Sequence, residues 1–121
     1  MQRRHRLRRA VDFDLLRREG RRWHHPLVLM VVRANGQQIS RFGYSTGKRL
    51  GKATSRNRVK RLFREIVRRK LRELDSGWDC LFVVRNGAAE VSYVELEIAV
   101  NELLQRAGIL NSTEIQELLG K

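Results

Sequence analysis

The segment from Ser55 to Glu65, which reads SRNRVKRLFRE, constrains the fold more than any other part of the chain. It follows a basic loop with two glycines, and its pattern is that of an amphipathic helix with two opposed faces. At 100° per residue the apolar positions fall within one sector of about 140°, and they are Val59, Leu62, Phe63, Ile66, Val67 and Leu74. The cations on the other side are Arg58, Lys60, Arg61, Arg64, Arg68 and Arg72. One face is therefore predicted to pack on a core and the other to meet a polyanion.

Basic charge is concentrated in the first part of the chain. The net charge is +13, and residues 1–72 hold 23 of the 26 Lys and Arg residues but only four of the 13 acids. Between Lys48 and Arg72 a single acid, Glu65, accompanies twelve cations. Like charges at i,i+4 destabilise a helix by a few tenths of a kcal/mol per pair. A helix face that only contacts solvent therefore normally mixes acidic and basic residues, and this one does not. Nucleic acid is the first candidate partner.

The length of 121 residues fits one domain, residues 1–121. Within it, residues 1–10 are expected to be a flexible basic arm, order to begin near Asp12, and residues 109–121 to form a C-terminal extension with a short helix. No apolar run approaches the length of a membrane span, and the arginine-rich start lacks the apolar core of a signal peptide. The single cysteine, Cys80, is expected to be a buried structural thiol. These features predict a cytoplasmic protein.

The expected order of elements is helix, three strands, helix, strand and helix, which calls for an α+β sandwich. The elements are Asp12–Arg18, Arg21–His24, Leu27–Arg33, Ser40–Thr46, a long helix that ends near Leu74, Trp78–Arg85 and a helix that ends near Ala107. Because Asn35-Gly36 is a turn signal between the second and third strands, these two are expected to pair antiparallel. The expected helix caps are Asp12, either Thr54 or Ser55, Ser92 with Glu95 in a capping box, Gly108 at the end of that helix, and Thr113 before a short last helix.

No set of side chains forms a catalytic constellation. His24 and His25 would point to opposite faces of a strand, so they cannot readily share a metal ion. The early carboxylates are typical of helix starts or of surface partners of arginine, and the loop from Gly47 to Lys52 lacks phosphate-loop spacing. We therefore expect no cofactor or metal on the protein, and any catalysis must come from a partner.

Four side chains have two interpretations each. Phe13, Phe42 and Tyr44 could stack on bases of a single strand, or they could belong to the core. Asn57 could cap backbone, or it could reach a base or a ribose.

In these motifs the chain resembles the bacterial ribonuclease P protein family, from Leu7 to Leu104. The most specific match is Gly51-Lys52-Ala53 followed by Ser55–Glu65. Supporting matches are Asp12-Phe13 with Gly20, Arg41–Ser45 leading into Lys48-Arg49, and Asp79–Arg85 before Tyr93.

The resemblance implies an αβββαβα order and a two-layer sandwich. Its mixed four-stranded sheet would contain an unusual left-handed βαβ crossover through the signature helix, where physics alone predicts a right-handed one. In that family a large RNA catalyses removal of the 5′ leader from precursor tRNA, with magnesium ions bound to the RNA. The implied role of the protein is to bind that RNA and the single-stranded leader, without a membrane or an obligatory protein partner.

The resemblance also implies site residues. Those expected to contact the catalytic RNA, with Arg68 included from the cationic face of the helix, are Lys48, Arg49, Lys52, Arg56, Asn57, Arg58, Lys60, Arg61, Arg64 and Arg68. A cleft between the sheet and the first helix would hold the leader, with Phe13, Phe42 and Tyr44 in or near it. Arg17 and Met30 stand where family members commonly carry aromatic residues. Weaker stacking on the leader and greater contact with cations, Arg17 among them, are therefore expected.

Two other classes of protein fit part of this pattern. A structural module of ribosomal or duplex-DNA-binding type needs the same basic helix but no leader cleft. A basic membrane-surface protein would present large apolar side chains to lipid instead of burying them under a sheet.

Overall fold

The fold is taken from a computed structural model, which describes residues 5–7, 9–46, 51–70, 74–85 and 90–109. Its elements are α1 (Ala10–Glu19), β1 (Arg21–His24), β2 (Val28–Ala34), β3 (Arg41–Thr46), α2 (Ala53–Lys70), β4 (Trp78–Val84) and α3 (Tyr93–Ala107). The predicted αβββαβα order is confirmed. Among the described residues, no helix is long and apolar enough to cross a membrane.

The four strands form one mixed sheet in the order β1-β2-β4-β3. β2 pairs antiparallel with both β1 and β4, and β3 pairs parallel with β4. The α+β class and the mixed sheet are confirmed. Since β3 and β4 are parallel neighbours, α2 is the crossover between them; its left-handed sense stays a prediction.

The expected antiparallel pairing of β2 with β3 is wrong, because β4 lies between these two strands. The turn signal is real, since Gly36 has a φ of 68° and Asn35 Oδ1 accepts a hydrogen bond from Gln37 N at 2.7 Å. However, Asn35 also binds the start of β4: its N donates to Gly77 O at 2.8 Å and its Nδ2 to Asp79 Oδ1 at 2.9 Å. The loop therefore spans the width of a whole strand.

The two faces of the sheet bury different sets of side chains. The larger core lies between the sheet and the pair α2 and α3, and it contains Met30 and Phe82 with Val59, Phe63 and Leu103. The smaller core on the other face joins Leu16 of α1 to Val31, Leu81 and Leu7. The predicted two-layer description therefore omits α1, which forms a third layer. Cys80 is buried in the larger core, as expected, and burial raises the pKa of its thiol.

The expectation that order begins near Asp12 is wrong. Leu7 is 6% exposed, and its N donates to Phe42 O at 2.9 Å, so part of the basic arm is built into the fold. The physical reason is that Leu7 covers apolar surface beside Leu16.

Two of the expected caps are also wrong. Helix α1 starts at Ala10, so Asp12 lies in its first turn, and Arg9 at the cap position makes no side-chain hydrogen bond. Helix α2 starts at Ala53 and contains both Thr54 and Ser55. Both helices begin before the polar residue that was expected to cap them.

The Ser92 cap at the start of α3 and the Gly108 cap at its end are confirmed. Ser92 Oγ accepts a hydrogen bond from Glu95 N at 3.2 Å, and Gly108 ends the helix with a φ of 72°. Residue 109 is the last that the structure describes, so the short helix expected at Thr113 lies outside the described residues.

Candidate RNA interface

A cleft of about 270 Å³ opens at the β3 edge of the sheet. It is lined by Arg6, Leu7, Phe13, Phe42, Gly43, Tyr44, Lys60 and Arg64. These residues come from the N-terminal segment, α1, β3 and α2. We call this site the β3-edge cleft.

The wall on the α1 side depends on Gly43. A Cβ atom at this position would lie 3.0 Å from Phe13 Cε1 and 3.2 Å from Leu7 Cβ, closer than ordinary van der Waals contact. The missing side chain therefore lets Phe13 and Leu7 lie directly over β3. Phe13 stays half-exposed there, so its ring borders both the smaller core and the cleft.

The three predicted aromatic residues all line the cleft, but in different ways. Phe42 is 1% exposed and belongs to the larger core, so it forms the closed floor. Tyr44 packs in an aromatic cluster, with its ring centre 5.6 Å from that of Phe63 and 6.0 Å from that of Phe82. Phe13 and Tyr44 are both partly exposed, and Phe13, which lies on the α1 side outside the aromatic cluster, is the better placed for stacking.

The Tyr44 hydroxyl is buried and has no hydrogen-bond partner among the described residues. Burial raises the pKa of Tyr44, while the charges of Arg64 and Arg6 act in the opposite direction. The phenol is therefore neutral at physiological pH, and it leaves an unsatisfied donor in the protein interior.

The opposite wall of the cleft is cationic. Lys60 and Arg64 stand one turn apart on α2, and both line the cleft together with Arg6. Neither Lys60 nor Arg64 forms an ion pair with a carboxylate in the described part of the chain. A single strand in this cleft would therefore meet an apolar wall on one side and positive charge on the other.

The remaining predicted residues of α2 fall into two groups. Asn57 and Arg61 are exposed, as is Lys52 just before the helix, and Arg56 is half-exposed. By contrast, the Arg58 guanidinium donates to Val91 O at 2.8 Å, which ties α2 to the segment before α3. Arg58 therefore contributes to the fold as well as to the positive charge.

Arg68 is occupied by an acid of its own helix. Its guanidinium donates twice to Glu65, at 2.6 and 3.1 Å, and Arg69 donates to the same carboxylate at 3.0 Å. These hydrogen bonds, that of Arg68 first, lower the pKa of Glu65 to about 2. The predicted contact of Arg68 with RNA would have to compete with this pair.

One residue that was predicted for the leader cleft does not line it, and two that were predicted to contact the catalytic RNA are not described. Arg17 is exposed on α1, with its Nη1 3.8 Å from Asp14 Oδ1, and it does not line the cleft. Lys48 and Arg49 lie outside the described residues.

A buried ion pair lies next to the cleft and connects the elements that form it. Arg41 donates to Asp79 at 2.7 and 2.9 Å, and it also approaches the Asp12 carboxylate at 3.5 Å. The hydrogen bond that Arg41 donates to Asp79, a carboxylate that is 2% exposed, raises the pKa of Arg41. Because Asp12 precedes Phe13 and Arg41 precedes Phe42, this network joins the α1 wall of the cleft to its floor on β3.

Sequence reasoning missed Arg6, Leu7 and Gly43 as parts of the cleft. Arg6 is placed there by a single parallel bridge to Phe42. No local pattern in the sequence indicates this contact, because the two residues are far apart in the chain. The signal that could have been noticed is Leu7, an apolar residue inside a run of arginines.

Comparison with known proteins identifies the family of this chain. A family model for ribonuclease P matches residues 1–108. The ribonuclease P protein component of Roseiflexus sp. (strain RS-1) is 38% identical over 115 residues, and the match covers 94% of each chain. The solved ribonuclease P protein of Thermotoga maritima is 32% identical, with a TM-score of 0.77 over 84% of this chain and 96% of that one.

A more distant structure agrees in fold. The ribonuclease P protein of Staphylococcus aureus superposes with a TM-score of 0.82 over 88% of this chain and 98% of that one, at 22% identity. With the mixed sheet, the basic signature and the sequence matches together, the chain belongs to the ribonuclease P protein family.

Proposed function

We propose that this protein is the RNA-binding subunit of a ribonuclease P, and that it assists RNA-catalysed removal of the 5′ leader from precursor tRNA. The observation that carries the proposal is the meeting of two surfaces along α2. One is its exposed cationic face, and the other is the β3-edge cleft, where Lys60 and Arg64 of the same helix face Phe13.

The exposed face of α2 would bind the RNA subunit. Arg61 and Arg56 offer planar guanidinium groups that can hold two phosphate oxygens at once. Lys52 and Asn57 extend this surface at the start of the helix. Asn57 is exposed and its side chain makes no hydrogen bond within the described structure, which favours a base or ribose contact over a backbone cap.

The β3-edge cleft would bind the single-stranded leader. Stacking of one base on the Phe13 ring would contribute about 1 to 3 kcal/mol. Lys60, Arg64 and Arg6 would contact the phosphates on the opposite side. Because Phe42 is closed off in the core and Tyr44 packs in the aromatic cluster, stacking is assigned to Phe13, and the other contacts with the leader would be electrostatic.

The chemistry is proposed to belong to the RNA. No group of three or more His, Cys, Asp or Glu side chains suited to a metal ion occurs in the part of the chain that the structure describes. Magnesium ions held by the RNA would supply the Lewis acid for cleavage. The protein's cations would reduce the repulsion between the catalytic RNA and its substrate, and cytoplasm is the proposed compartment.

Reconstitution tests the proposal. The protein, combined with a bacterial ribonuclease P RNA at low magnesium, should increase 5′ processing of precursor tRNA. With six to ten phosphates engaged, affinity should fall roughly 10³- to 10⁵-fold between 50 and 200 mM salt. Cleavage of precursor tRNA by the protein without any RNA subunit would sink the proposal.

A second measurement tests the cleft. In complex with the RNA subunit, the protein should favour a precursor with its 5′ leader over the same tRNA without it. Equal affinity for the two would mean that the chain is a structural RNA-binding module with no role at the leader.

A further inference from the structure

A second group of arginines lies at the β1 edge of the sheet, opposite the β3-edge cleft. Arg21 comes from β1, Arg85 follows β4, and Arg106 lies in the last turn of α3. All three are exposed, and they surround Trp23 and His24. We call these three arginines the β1-edge cluster.

Contacts within the fold hold the cluster in place. The guanidinium carbons of Arg21 and Arg106 lie 5.4 and 5.8 Å from the centre of the Trp23 ring. Arg106 also donates to His24 O at 2.7 Å, and Arg85 Nη2 lies 3.1 Å from His24 Nδ1. Since a guanidinium can only donate, Nδ1 is the acceptor in this contact. Arg21 and Arg106 are therefore held on the Trp23 ring, and Arg85 is held at His24, the next residue of β1, whose side chain points to the opposite face of the strand.

No carboxylate neutralises the cluster within the described structure. Glu102, which lies one turn before Arg106 on α3, contacts His25 Nε2 at 3.5 Å and forms no ion pair with any of the three arginines. By contrast, Arg33 on the neighbouring strand is paired with Glu19 at 2.9 Å. Gathering like charges without an acid costs free energy, and the cost is offset when an anion binds.

We propose that the β1-edge cluster binds the sugar–phosphate backbone of the RNA subunit, at a place separate from the contact of α2. This inference rests on the proposed function. Backbone is favoured over bases because the Trp23 ring already has two guanidinium groups over it and also packs on the core, so a base would have to displace these contacts to stack. Arginines in fixed positions suit phosphates of a folded RNA.

The leader is a poor candidate for this contact. Three strand spacings separate β1 from β3, which is about 14 Å across the sheet. A leader held in the β3-edge cleft would have to cross a face of the sheet that is covered by helices. The two edges therefore bind different stretches of RNA, and the protein lies between them.

The test is the salt dependence of binding to a bacterial ribonuclease P RNA in the absence of tRNA. Arg106→Gln should lower the slope of log affinity against log salt by about 0.9 for each duplex phosphate contact that is lost, and Arg106→Lys should restore most of it. Arg33→Gln is the matched control, because it changes the net charge equally at a residue that already has a partner. Its slope should equal that of the wild type.

Arg85→Gln is the second variant, since Arg85 does not touch Trp23 and its loss should leave the melting temperature unchanged. A slope for both Arg106→Gln and Arg85→Gln equal to that of Arg33→Gln would overturn the inference. An effect seen only with mature tRNA as the ligand would overturn it as well. Failure of the wild-type protein to bind the RNA subunit would instead contradict the proposed function, so the two failures are distinguishable.

Discussion

The exposed face of α2 and the β3-edge cleft use cations of one helix in different surroundings. Asn57 and Arg61 extend into solvent, and their positions depend on little except the helix itself. Lys60 and Arg64 face a wall that the N-terminal segment, α1 and β3 build together. The first surface is a pattern of charge, whereas the second also requires the correct packing of four segments. Substitutions that disturb the packing should therefore weaken binding of the leader more than binding of the RNA subunit.

The largest effect is expected from Asp79→Ala. The change leaves the Arg41 guanidinium in a partly buried site with only the longer contact to Asp12. Loss of one partner of such a pair should lower the free energy of unfolding by about 3 to 5 kcal/mol, as measured by urea denaturation. The contribution of the leader to the affinity for precursor tRNA should fall by a larger factor than the affinity for the RNA subunit.

The control for this change is Glu65→Gln, which removes an exposed ion-pair partner on α2. Its unfolding midpoint should stay close to that of the wild type. Similar losses of stability in the two variants would show that the buried network does not brace the cleft.

The next effect is expected from Gly43→Val, which places side-chain atoms where Phe13 and Leu7 now lie. Overpacking should cost about 1 to 3 kcal/mol of stability and displace the Phe13 ring. In binding assays with the RNA subunit, the preference for a precursor with a leader should shrink. If leader-bearing and leaderless precursors lost affinity equally, Phe13 would have no part in holding the leader.

A smaller effect on stability is expected from Arg61→Ala, which removes charge from the exposed face of α2. The free energy of unfolding should change by no more than about 0.5 kcal/mol. The salt slope for binding the RNA subunit should fall by about 0.9, whereas Arg18→Ala, at an exposed arginine of α1, should leave it unchanged. A loss of several kcal/mol of stability would mean that this residue packs against the core.

Tyr44→Phe is the one change expected to raise stability, since it removes a buried hydroxyl that has no partner among the described residues and keeps the ring in its aromatic cluster. The variant should be more stable by about 1 kcal/mol, because an unsatisfied donor no longer needs to be buried. Thermal unfolding measures the change. A lower melting temperature would indicate that the hydroxyl has a partner in solution.

Local patterns in the sequence identified the three helices, although not the first residues of α1 and α2. Periodicity identifies the buried residues of α2, which include Val59, Phe63 and Ile66, and the capping box identifies the start of α3 at Ser92. Both depend on contacts within a few residues, which a sequence displays directly.

Contacts between distant residues were not accessible in the same way. The Asn35-Gly36 turn predicts a hairpin, yet the polar groups of Asn35 bind the start of β4, which then separates the two strands. The cleft likewise depends on the bridge between Arg6 and Phe42 and on the closeness of Gly43 to Phe13. These are products of tertiary packing, and no spacing in the chain encodes them locally.

The position of β4 between β2 and β3 also orders events during synthesis. A chain released from the ribosome N-terminus first presents β3 and α2 before Trp78–Val84 exists as a strand. Until then β3 lacks its strand neighbour, and the core beneath α2 lacks the side chains that β4 supplies, among them Cys80 and Phe82. A nascent chain therefore carries the cations of α2 before the β3-edge cleft is complete. A chain truncated ahead of β4 should bind RNA without distinguishing precursors with a leader from those without one.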